Sequence, residues 1–346
     1  MVTIKDIAAR AGVSVTTASL VLNDKDGAVR ISAATRKLVL GTAAALGYVP
    51  NVSARQLRRQ GERTLSIALL LPHDSRVSIM GELITGIQRY LLEGDAPAKC
   101  SLTVEMYRAG ELADVNGLWE QTRFNGALLA NLSERDEAYA HERRFVLPAV
   151  LFQRKSDLYP YVDCRNTQAG SDVAAHFIAR GHRQLVVLVP RLSSDAINRR
   201  LQGMLAALAA AENATEPVIR FGEFSEDGGY RTAAELLQSG FKPTAIVAFS
   251  DQMAMGALFA LRERGIRVPE ACELIGFDDL PFARYTSPPL STVAIPVQEM
   301  AHHAARMLLG RIVPGSPEQA SRTFDMPLVH RATTVTAAAD KPSGAL

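Results

Sequence analysis

Side chains that could bind a polyanion are concentrated in the first 61 residues. This segment contains nine lysines and arginines against three acidic residues, a net charge of +6, which leaves −4 for the rest of a chain whose total is +2. Ammonium and guanidinium groups neutralise phosphates, so this asymmetry favours a polyanionic partner for the segment alone. Thr17 and Ser19 add hydroxyl groups that could donate to phosphates or base edges.

The residues around these side chains predict a helix-turn-helix. Ile4, Ile7, Ala8 and Ala11 occupy positions i, i+3, i+4 and i+7, which form one apolar helix face. Gly12 follows, where a tight turn between two helices costs least. A second helix is expected over residues 15–22, with Ser14 as its N-cap. Together, at the start of the chain, these features predict DNA binding.

Two further helices are predicted before the chain changes character. Ser32 is a favourable N-cap for a helix over residues 33–46, and Gly47 is a C-cap signal. Asn51 could cap a short helix over residues 52–59. Eight residues are fewer than the ~12–15 that an isolated helix needs in water, so this piece is expected to fold only against a partner and to act as a hinge.

From Leu65 onwards, short apolar strands alternate with amphipathic helices. The predicted strands cover residues 65–71, 126–130, 149–152, 184–189, 245–249 and 273–277. The predicted helices cover residues 78–92, 169–180, 196–211, 229–239 and 251–264. Alternation of this kind predicts parallel sheets, and continuous apolar strands predict sheets that are buried on both faces.

Several classes of protein are disfavoured by the sequence. The three cysteines are far apart without a CxxC pair, which indicates reduced thiols in a cytosolic protein with no disulfide or metal. No secretory signal opens the chain, and its apolar runs are too short to span a bilayer. Residues 332–346 are expected to be a flexible tail without a heptad repeat.

Catalytic signatures are also missing from the sequence. We find no P-loop, GxGxxG, GxSxG or HExxH motif, so neither an enzyme nor a cofactor is expected. Asp278 and Asp279 point in different directions on an extended chain and make a poor acid–base pair. His302 and His303 lie on a helical stretch and are expected at the surface without partners.

Six segments of the chain resemble the lactose-repressor-type (LacI/GalR) family of transcription regulators. They are "TIKDIAARAGVSVTTASLVLN", "LGYVPNVSARQLRR", "RGHRQLVVLV", "RRLQGMLAAL", "FSDQMAMGALFALRERGIRVPE" and "IGFDDLPFARYTSPPLSTV". The resemblance implies a cytoplasmic homodimer that binds double-stranded operator DNA, most often as a repressor, and responds to a small-molecule effector such as a sugar. It implies an all-α helix-turn-helix head and an α/β core of two subdomains with parallel sheets, as in periplasmic binding proteins.

The resemblance also divides the chain into segments. Residues 1–49 would form the DNA-binding head and residues 50–61 the hinge helix and linker. The core would cover residues 62–331. Its N-subdomain would combine residues 62–161 with 292–321, and its C-subdomain residues 162–291 with 322–331. Three crossover strands, near residues 161–163, 291–293 and 321–324, would join the two subdomains.

If residues 15–22 form the recognition helix, its N-terminal side chains face the major groove. Ala18, Val21 and Leu22 are expected in the head core. Leu57 lies where the family inserts a leucine into the minor groove, and packing of Leu57 on the core is the alternative. The predicted DNA contacts are Thr3, Val15, Thr16, Thr17, Ser19, Leu20, Asn23, Arg30, Asn51, Ala54, Arg55, Leu57 and Arg58.

Ligands of two-subdomain α/β proteins bind at the carboxyl ends of the strands. The resemblance gives Asp278 a hydroxyl-accepting role and Phe224 a stacking role, a mixture that suits a sugar or polyol. The predicted effector contacts are Asp74, Ser75, Arg76, Gln153, Asn198, Phe224, Ser250, Asp251 and Asp278.

Several positions depart from the family. Leu20 stands where Arg or His is usual, which predicts preference for a thymine methyl over guanine. The core has Asn198 in place of Arg, Ser250 in place of Asn, Arg165 in place of Asp and Ile295 in place of Gln. The effector therefore stays open, including an anionic one bound by Arg76.

Structural roles compete with some of these assignments. Asp251 and Asn166 are alternatively helix N-caps, and Asp279 a cap of the following turn. Arg200 and Gly203 are interpreted as packing residues. A solute-binding protein for transport would share the core, but it would need a signal peptide and would lack the head.

Overall fold

The computed structural model describes residues 3–22, 31–46, 64–73, 75, 77–93, 96, 98–119, 123–192, 194–212, 216–317 and 319–335. The predicted hinge and most of the predicted tail lie outside these residues.

The described part of the head contains three helices. They are α1 (Ile4–Arg10), α2 (Val15–Leu22) and α3 (Ala33–Ala45). Ile7, Ala18 and Val39, one from each helix, have no exposed surface and form the centre of its small core. Ser32 caps α3 as predicted, since its Oγ accepts a hydrogen bond from Thr35 N at 3.1 Å.

The first sheet has six strands in the order β11-β5-β4-β3-β1-β2, and all of its pairs are parallel. Its strands are β1 (Thr64–Pro72), β2 (Lys99–Tyr107), β3 (Gly126–Ala130), β4 (Ala149–Phe152), β5 (Tyr161–Cys164) and β11 (Arg322–Phe324). Its helices are α4 (Val77–Leu92), α5 (Glu134–Glu142) and α10 (Val297–Ile312). Short 3₁₀ turns cover Leu112–Asp114 and Asn116–Leu118.

The second sheet also has six strands, in the order β12-β10-β9-β8-β6-β7. They are β6 (Leu185–Pro190), β7 (Val218–Gly222), β8 (Ala245–Ala248), β9 (Glu273–Asp278), β10 (Ser291–Ala294) and β12 (Leu328–Val329). Its helices are α6 (Asn166–Ala179), α7 (Asp195–Ala210), α8 (Glu226–Gln238) and α9 (Asp251–Glu263), with a 3₁₀ turn at Pro281–Tyr285. Only β12 runs antiparallel to its neighbour among these described strands.

The chain crosses between the sheets three times, close to the predicted positions. The first crossing comes directly after β5, the second lies between β10 and α10, and the third lies between β11 and β12. β5 and β11 pair within the first sheet, and β10 pairs within the second. Each boundary between the subdomains therefore lies about three residues after the predicted boundary. The predicted boundaries at residues 161, 291 and 321 are corrected accordingly.

The fully buried strands were the easiest to predict. β3 and β4 are buried along their whole length, whereas the edge strand β2 consists of exposed and half-buried residues, including Glu105, up to the buried Tyr107. Helix α5 buries only Asp136 and Ala140. Elements with few buried residues have little apolar periodicity. The sequence therefore did not predict β2, β7 and α5.

The end of the core is longer than predicted. Thr333 is fully buried, its hydroxyl donates to Leu274 O at 2.7 Å and it accepts from Ser291 N at 2.7 Å. Thr334 is also buried and bonds the Ser291 hydroxyl at 2.8 Å. These bonds fasten the chain to the second sheet, so a flexible tail from residue 332 is wrong for the described residues 332–335.

Candidate DNA-binding surface and ligand cleft

The turn between α1 and α2 has the predicted geometry. Gly12 adopts a φ of +64°, a region that side chains with a Cβ rarely enter. The Ser14 hydroxyl then accepts a hydrogen bond from Thr17 N at 3.0 Å, which caps α2. Ala18 and Val21 are buried against the head core, and Leu22 packs on it. These contacts fix which face of α2 is left outside.

That outer face begins at the N-terminus of α2. Val15 is 43% exposed and Thr16 is exposed, so an apolar group and a hydroxyl group are presented together. Thr17, Ser19 and Leu20 are half-buried. The Thr17 hydroxyl lies 2.8 Å from the Ser14 hydroxyl and is therefore partly committed to the cap.

Thr3 has a structural role. Its side chain and the Asp6 side chain form a capping box at the start of α1, with Thr3 Oγ1 donating to Asp6 Oδ2 at 2.7 Å. This bond is the largest cause that lowers the pKa of Asp6. The Thr3 hydroxyl is exposed but already bonded, a role that the sequence did not predict.

The other predicted DNA contacts, Asn23, Arg30, Asn51, Ala54, Arg55, Leu57 and Arg58, lie outside the described residues, as do the predicted effector contacts Asp74 and Arg76.

A cleft lies between the carboxyl ends of the two sheets. It encloses about 870 Å³ of empty space, part of which is open to solvent. Polar and apolar residues in similar numbers line it from both sheets. The described lining residues are Ser75, Ile79, Ala109, Asn131, Leu132, Ser133, Gln153, Arg154, Leu192, Ser194, Asp195, Ala196, Ile197, Arg200 and Phe224.

The wall from the first sheet, here the first wall, contains strained backbone. Asn131 and Gln153 follow β3 and β4 directly and have φ values of +56° and +57°. Such conformations cost about 1–3 kcal/mol in non-glycine residues and concentrate at ligand sites. Gln153 was predicted here. Asn131 was missed, although the same strand-end argument applied to residues 126–130 would have found it.

Among the described residues of the first wall, Arg154 is the charged one, and it was also missed. It is 9% exposed, and it forms an ion pair with Glu137 on α5, with both Nε and Nη2 directed at the same oxygen, Oε2. The Ser133 hydroxyl caps α5 and donates to Asp136 Oδ2 at 2.6 Å. The cap and the ion pair both fix α5 at the edge of the cleft.

The wall from the second sheet, here the second wall, is the N-terminal turn of α7 together with Phe224. Ser194 is the N-cap of α7, but its side chain makes no capping hydrogen bond. Phe224 is half-buried and lines the cleft as predicted.

Arg200 lines the cleft as well as packing within the core. It is 3% exposed, donates from Nε to Asn166 Oδ1 at 2.8 Å, and lies 4.9 Å from the centre of the Phe277 ring. The sequence interpretation of a packing residue is therefore incomplete. Asn166 is not the predicted N-cap of α6, since Arg165 holds that position.

Four of the described residues that were predicted as effector contacts, Asn198, Ser250, Asp251 and Asp278, do not line the cleft. Asn198 is exposed beside Phe221, on a surface away from the cleft lining. Ser250 is fully buried and caps α9 by accepting from Met253 N at 3.1 Å. Asp251 is not the cap: it accepts from Leu280 N at 2.7 Å and from Thr292 Oγ1 at 2.5 Å. These bonds join α9 to the second sheet.

Asp278 ends β9 with a φ of +118° and is 4% exposed, and it is not among the described residues that line the cleft. Burial, and then the nearby charge of Asp278, raise the pKa of Asp251 to about 8. Asp279 does not cap the following turn, because Arg331 Nη2 donates to its carboxylate at 2.6 Å.

An ion-pair network connects the two subdomains next to the cleft. Arg199 on α7 donates from Nη1 and Nη2 to the two oxygens of Asp163 on β5 at 2.8 and 2.9 Å. Asp163 has no exposed surface. Arg199 Nε lies 2.8 Å from Asp195 Oδ2. This contact is an ion pair, but its geometry does not meet that of a hydrogen bond.

His302 and His303 have partners, contrary to the sequence expectation. His302 Nε2 lies 2.8 Å from Glu93 Oε2 and its ring meets Tyr90 edge-on. His303 packs edge-on against Phe324. Both are half-buried contacts within the first subdomain.

Within the described residues, no group of three histidine, cysteine or acidic side chains is placed to hold a metal ion. All three cysteines are unpaired thiols, and burial raises the pKa of Cys164 and Cys272 to about 12. No helix in the described part of the chain is long and apolar enough to span a bilayer.

Comparison with known proteins identifies both parts of the chain. A family model described as "Bacterial regulatory proteins, lacI family" matches residues 3–51. A second, described as "Periplasmic binding protein-like domain", matches residues 174–334.

Named relatives match over nearly the whole length. The chain is 32% identical over 346 residues to the HTH-type transcriptional repressor PurR of Vibrio atlanticus, covering 97% of this chain and 99% of that protein. It is 30% identical to the HTH-type transcriptional regulator GalS of Salmonella typhimurium, covering 95% and 93%.

Solved structures agree in fold. The Lac repressor dimer bound to operator and the anti-inducer ONPF superposes with a TM-score of 0.70 at 27% identity, covering 97% of this chain and 99% of that one. The complex of the transcriptional regulator CelR with cellobiose gives 0.67 at 29% identity, covering 96% and 100%. These relatives are regulators rather than enzymes, which confirms that expectation. With a helix-turn-helix head, a two-sheet core and relatives matched along nearly its full length, the chain belongs to the LacI family of bacterial transcriptional regulators.

Proposed function

We propose that the protein is a repressor that binds a palindromic operator as a homodimer and that a small polar ligand in the cleft changes its operator affinity. The observation that supports this most strongly is the combination, in one chain, of a helix-turn-helix head and a cleft between two sheets that is lined by polar and apolar groups. A DNA-binding protein that is not regulated by a small molecule would not need such a cleft.

On the DNA side, the N-terminus of α2 enters the major groove. Val15 and Thr16 make the first contacts because they are the exposed residues there. Leu20 adds an apolar contact that favours a thymine methyl. The basic residues of the head and hinge, including Arg30, Arg55 and Arg58, bind phosphates, and Leu57 inserts into the minor groove at the operator centre.

On the ligand side, donors and acceptors of the two walls surround a sugar-like molecule. Gln153 and Asn131 supply amide groups, Ser75 and Ser194 supply hydroxyl groups, and Phe224 supplies an apolar face. The CelR structure contains cellobiose in its complex, which supports a carbohydrate. Asp278 joins this set if the second wall moves towards the ligand.

Coupling arises because the ligand contacts both walls. Among the described residues, the chain passes between the subdomains at the three crossings and the Arg199–Asp163 ion pair bridges them, so ligand contacts to both walls favour one relative arrangement. In a dimer, that arrangement sets the distance between the two heads. Effector and operator then influence each other by about 1–3 kcal/mol, and the effect is reciprocal.

The direct test is selection of bound sites from a random duplex-DNA pool by the purified full-length protein at near-physiological salt. We expect an enriched palindrome with half-sites about one helical turn apart and an easily unstacked central step. No enrichment, either alone or with added metabolite extract, would contradict the proposal.

A further inference from the structure

The charged groups around the cleft narrow the chemical class of the ligand. We infer that the effector carries an anionic group, a carboxylate or a phosphate, which binds between Arg154 of the first wall and the N-terminus of α7 with Arg200 in the second. This inference rests on the proposed function, since it concerns the same cleft.

Arg154 is the first observation. It is about nine-tenths buried, yet it lines the cleft. Its Nε and Nη2 both point to the single oxygen Oε2 of Glu137. Nη1 has no hydrogen-bond partner among the residues that the structure describes. A guanidinium of a cleft-lining residue with a spare donor is suited to a second anion, because arginine binds carboxylates and phosphates through its fork of N–H groups.

The N-terminus of α7 is the second observation, on the opposite wall. The first turn of a helix has N–H groups without intrahelical partners, and Ser194 does not cap them with its side chain. Ser194, Asp195, Ala196 and Ile197 of this turn all line the cleft. Unsatisfied N–H groups and the helix dipole together favour an anion at this position.

Arg200 adds a second guanidinium to the same wall. Its contacts with Asn166 and the Phe277 ring hold it in place at the cleft lining. The described lining residues thus include two arginines and one acidic residue.

The acidic residue does not cancel this preference. Asp195 lies 2.8 Å from Arg199 Nε, and Arg199 itself is held by the buried Asp163. The charges of Asp195 and of Arg154 are therefore each compensated within the protein, by Arg199 and by Glu137. The preference for an anion rests on N–H donors that these pairs leave over, namely Nη1 of Arg154 and the first turn of α7, while Asp195 can accept from ligand hydroxyl groups. A ligand with hydroxyl groups and one acidic group, such as a sugar acid or a sugar phosphate, fits both walls.

The test compares small probes in the full-length protein at constant ionic strength. Inorganic phosphate, D-glucuronate and D-glucose are titrated while the thermal midpoint of unfolding and the heat of binding are measured. We expect saturable binding of phosphate, glucuronate or both, at least tenfold tighter than glucose. Phosphate alone would indicate a phosphate ester, and glucuronate alone a sugar acid. Binding of neither would overturn the inference.

Three variants separate an anion site from a structural ion pair. Arg154→Gln should weaken binding of the anion by about 10–100-fold, as expected for lost charge-assisted hydrogen bonds. Glu137→Gln should tighten it, because Arg154 loses its competing partner. The double variant keeps both shapes without the charges and controls for folding. Anion affinity that is equal in all folded variants would contradict the inference.

Operator binding distinguishes this inference from the function on which it rests. Operator affinity is measured with a selected operator and each probe. If a neutral sugar changes this affinity and no anionic probe does, the anionic ligand is overturned and the proposed function still stands. If no small molecule changes operator affinity in any variant, the proposed function itself fails.

Discussion

At the scale of single residues, the most consequential group is Arg199. It joins the buried Asp163 on β5 to Asp195 at the cleft surface, so one side chain connects the crossing strand with the ligand wall. A fully buried carboxylate is costly unless it is paired, and both of its oxygens are bonded here. This pair therefore fixes the orientation of α7 beside the cleft.

Replacing Arg199 should therefore be severe. Arg199→Met leaves Asp163 buried without its cation, which typically costs about 3–5 kcal/mol of unfolding free energy. Urea unfolding measures the loss. The matched control is Arg231→Met, which breaks an exposed ion pair with Glu223 and should cost about 0–1 kcal/mol. Equal losses in the two variants would contradict the role given to Arg199.

Two histidines, the half-buried His182 and the more exposed His330, predict the direction of the pH dependence. Burial is the main cause that lowers the pKa of His182 and His330, which lie near Glu273, Arg180 and His176. The unfolded chain, with histidine pKa values near ~6.5, then binds more protons than the folded chain just below that pH. Stability should fall as the pH falls from 7.5 to 5.5.

Urea midpoints at the two pH values test this, with His182→Gln as the comparison. The variant has one fewer buried imidazole to protonate, so its midpoint should change less with pH. A midpoint that rises on acidification, or a steeper dependence in the variant, would show that the sign is wrong.

The sequence predicted residues well where one simple rule applied. Gln153 was found because it follows a buried strand, and Ala18 because of helical spacing. Asp251 was misassigned because Ser250 beside it is an equally good cap, and only the packed structure decides between them. Asn198 was predicted because it lies near the start of the helix after the strand at residues 184–189 and at a position that is often Arg in the family. The face of α7 that meets the cleft carries Arg200 instead. Arg154 has no periodic signal at all.

At the scale of elements, the contact between α6 and α7 positions the second wall. A Cβ at Gly203 would overlap the carbonyl of Thr167, and a Cβ at Gly170 would overlap the carbonyl of Arg200. The two helices therefore touch backbone to backbone, and the sequence interpretation of Gly203 as a packing residue is confirmed. Helix α7 carries Asp195 and Arg200 to the cleft, so its position determines theirs.

Gly203→Ala should push these helices apart. We expect a loss of about 1–3 kcal/mol, the usual cost of overpacking, together with weaker binding of any cleft ligand. Gly81→Ala is the control, since that helical glycine of α4 has nothing within 4 Å of the added Cβ. It should gain about 0.5–1 kcal/mol. The reverse order of stabilities would refute the close contact.

Helix α2 gives a prediction about DNA sequence. Leu20 is half-buried and can offer a base only an apolar contact. Leu20→Arg supplies a bidentate donor, so one position of the selected site should change from thymine to guanine. Site selection with both proteins measures this change. Identical preferences at every position would show that Leu20 does not face a base.

At the scale of the whole molecule, two sheets and three crossings form the control unit. The alternation of strands and helices predicted parallel sheets, and the family resemblance implied the two subdomains and placed their crossings within about three residues. The relative position of the walls could not be predicted, because it depends on long-range contacts such as the one between Arg199 and Asp163. The basic head suits DNA binding, and the acidic remainder of the chain contains the ligand cleft.

The most direct test of the account is operator affinity measured with fractionated metabolites, using a selected operator and the full-length protein. The wild type should change its operator affinity by at least about fivefold with one fraction. Phe224→Ala, which removes a cleft side chain without touching the head, should lose that response and keep its unliganded affinity. No response to any fraction, or an equal response in the variant, would contradict control of the head by the cleft.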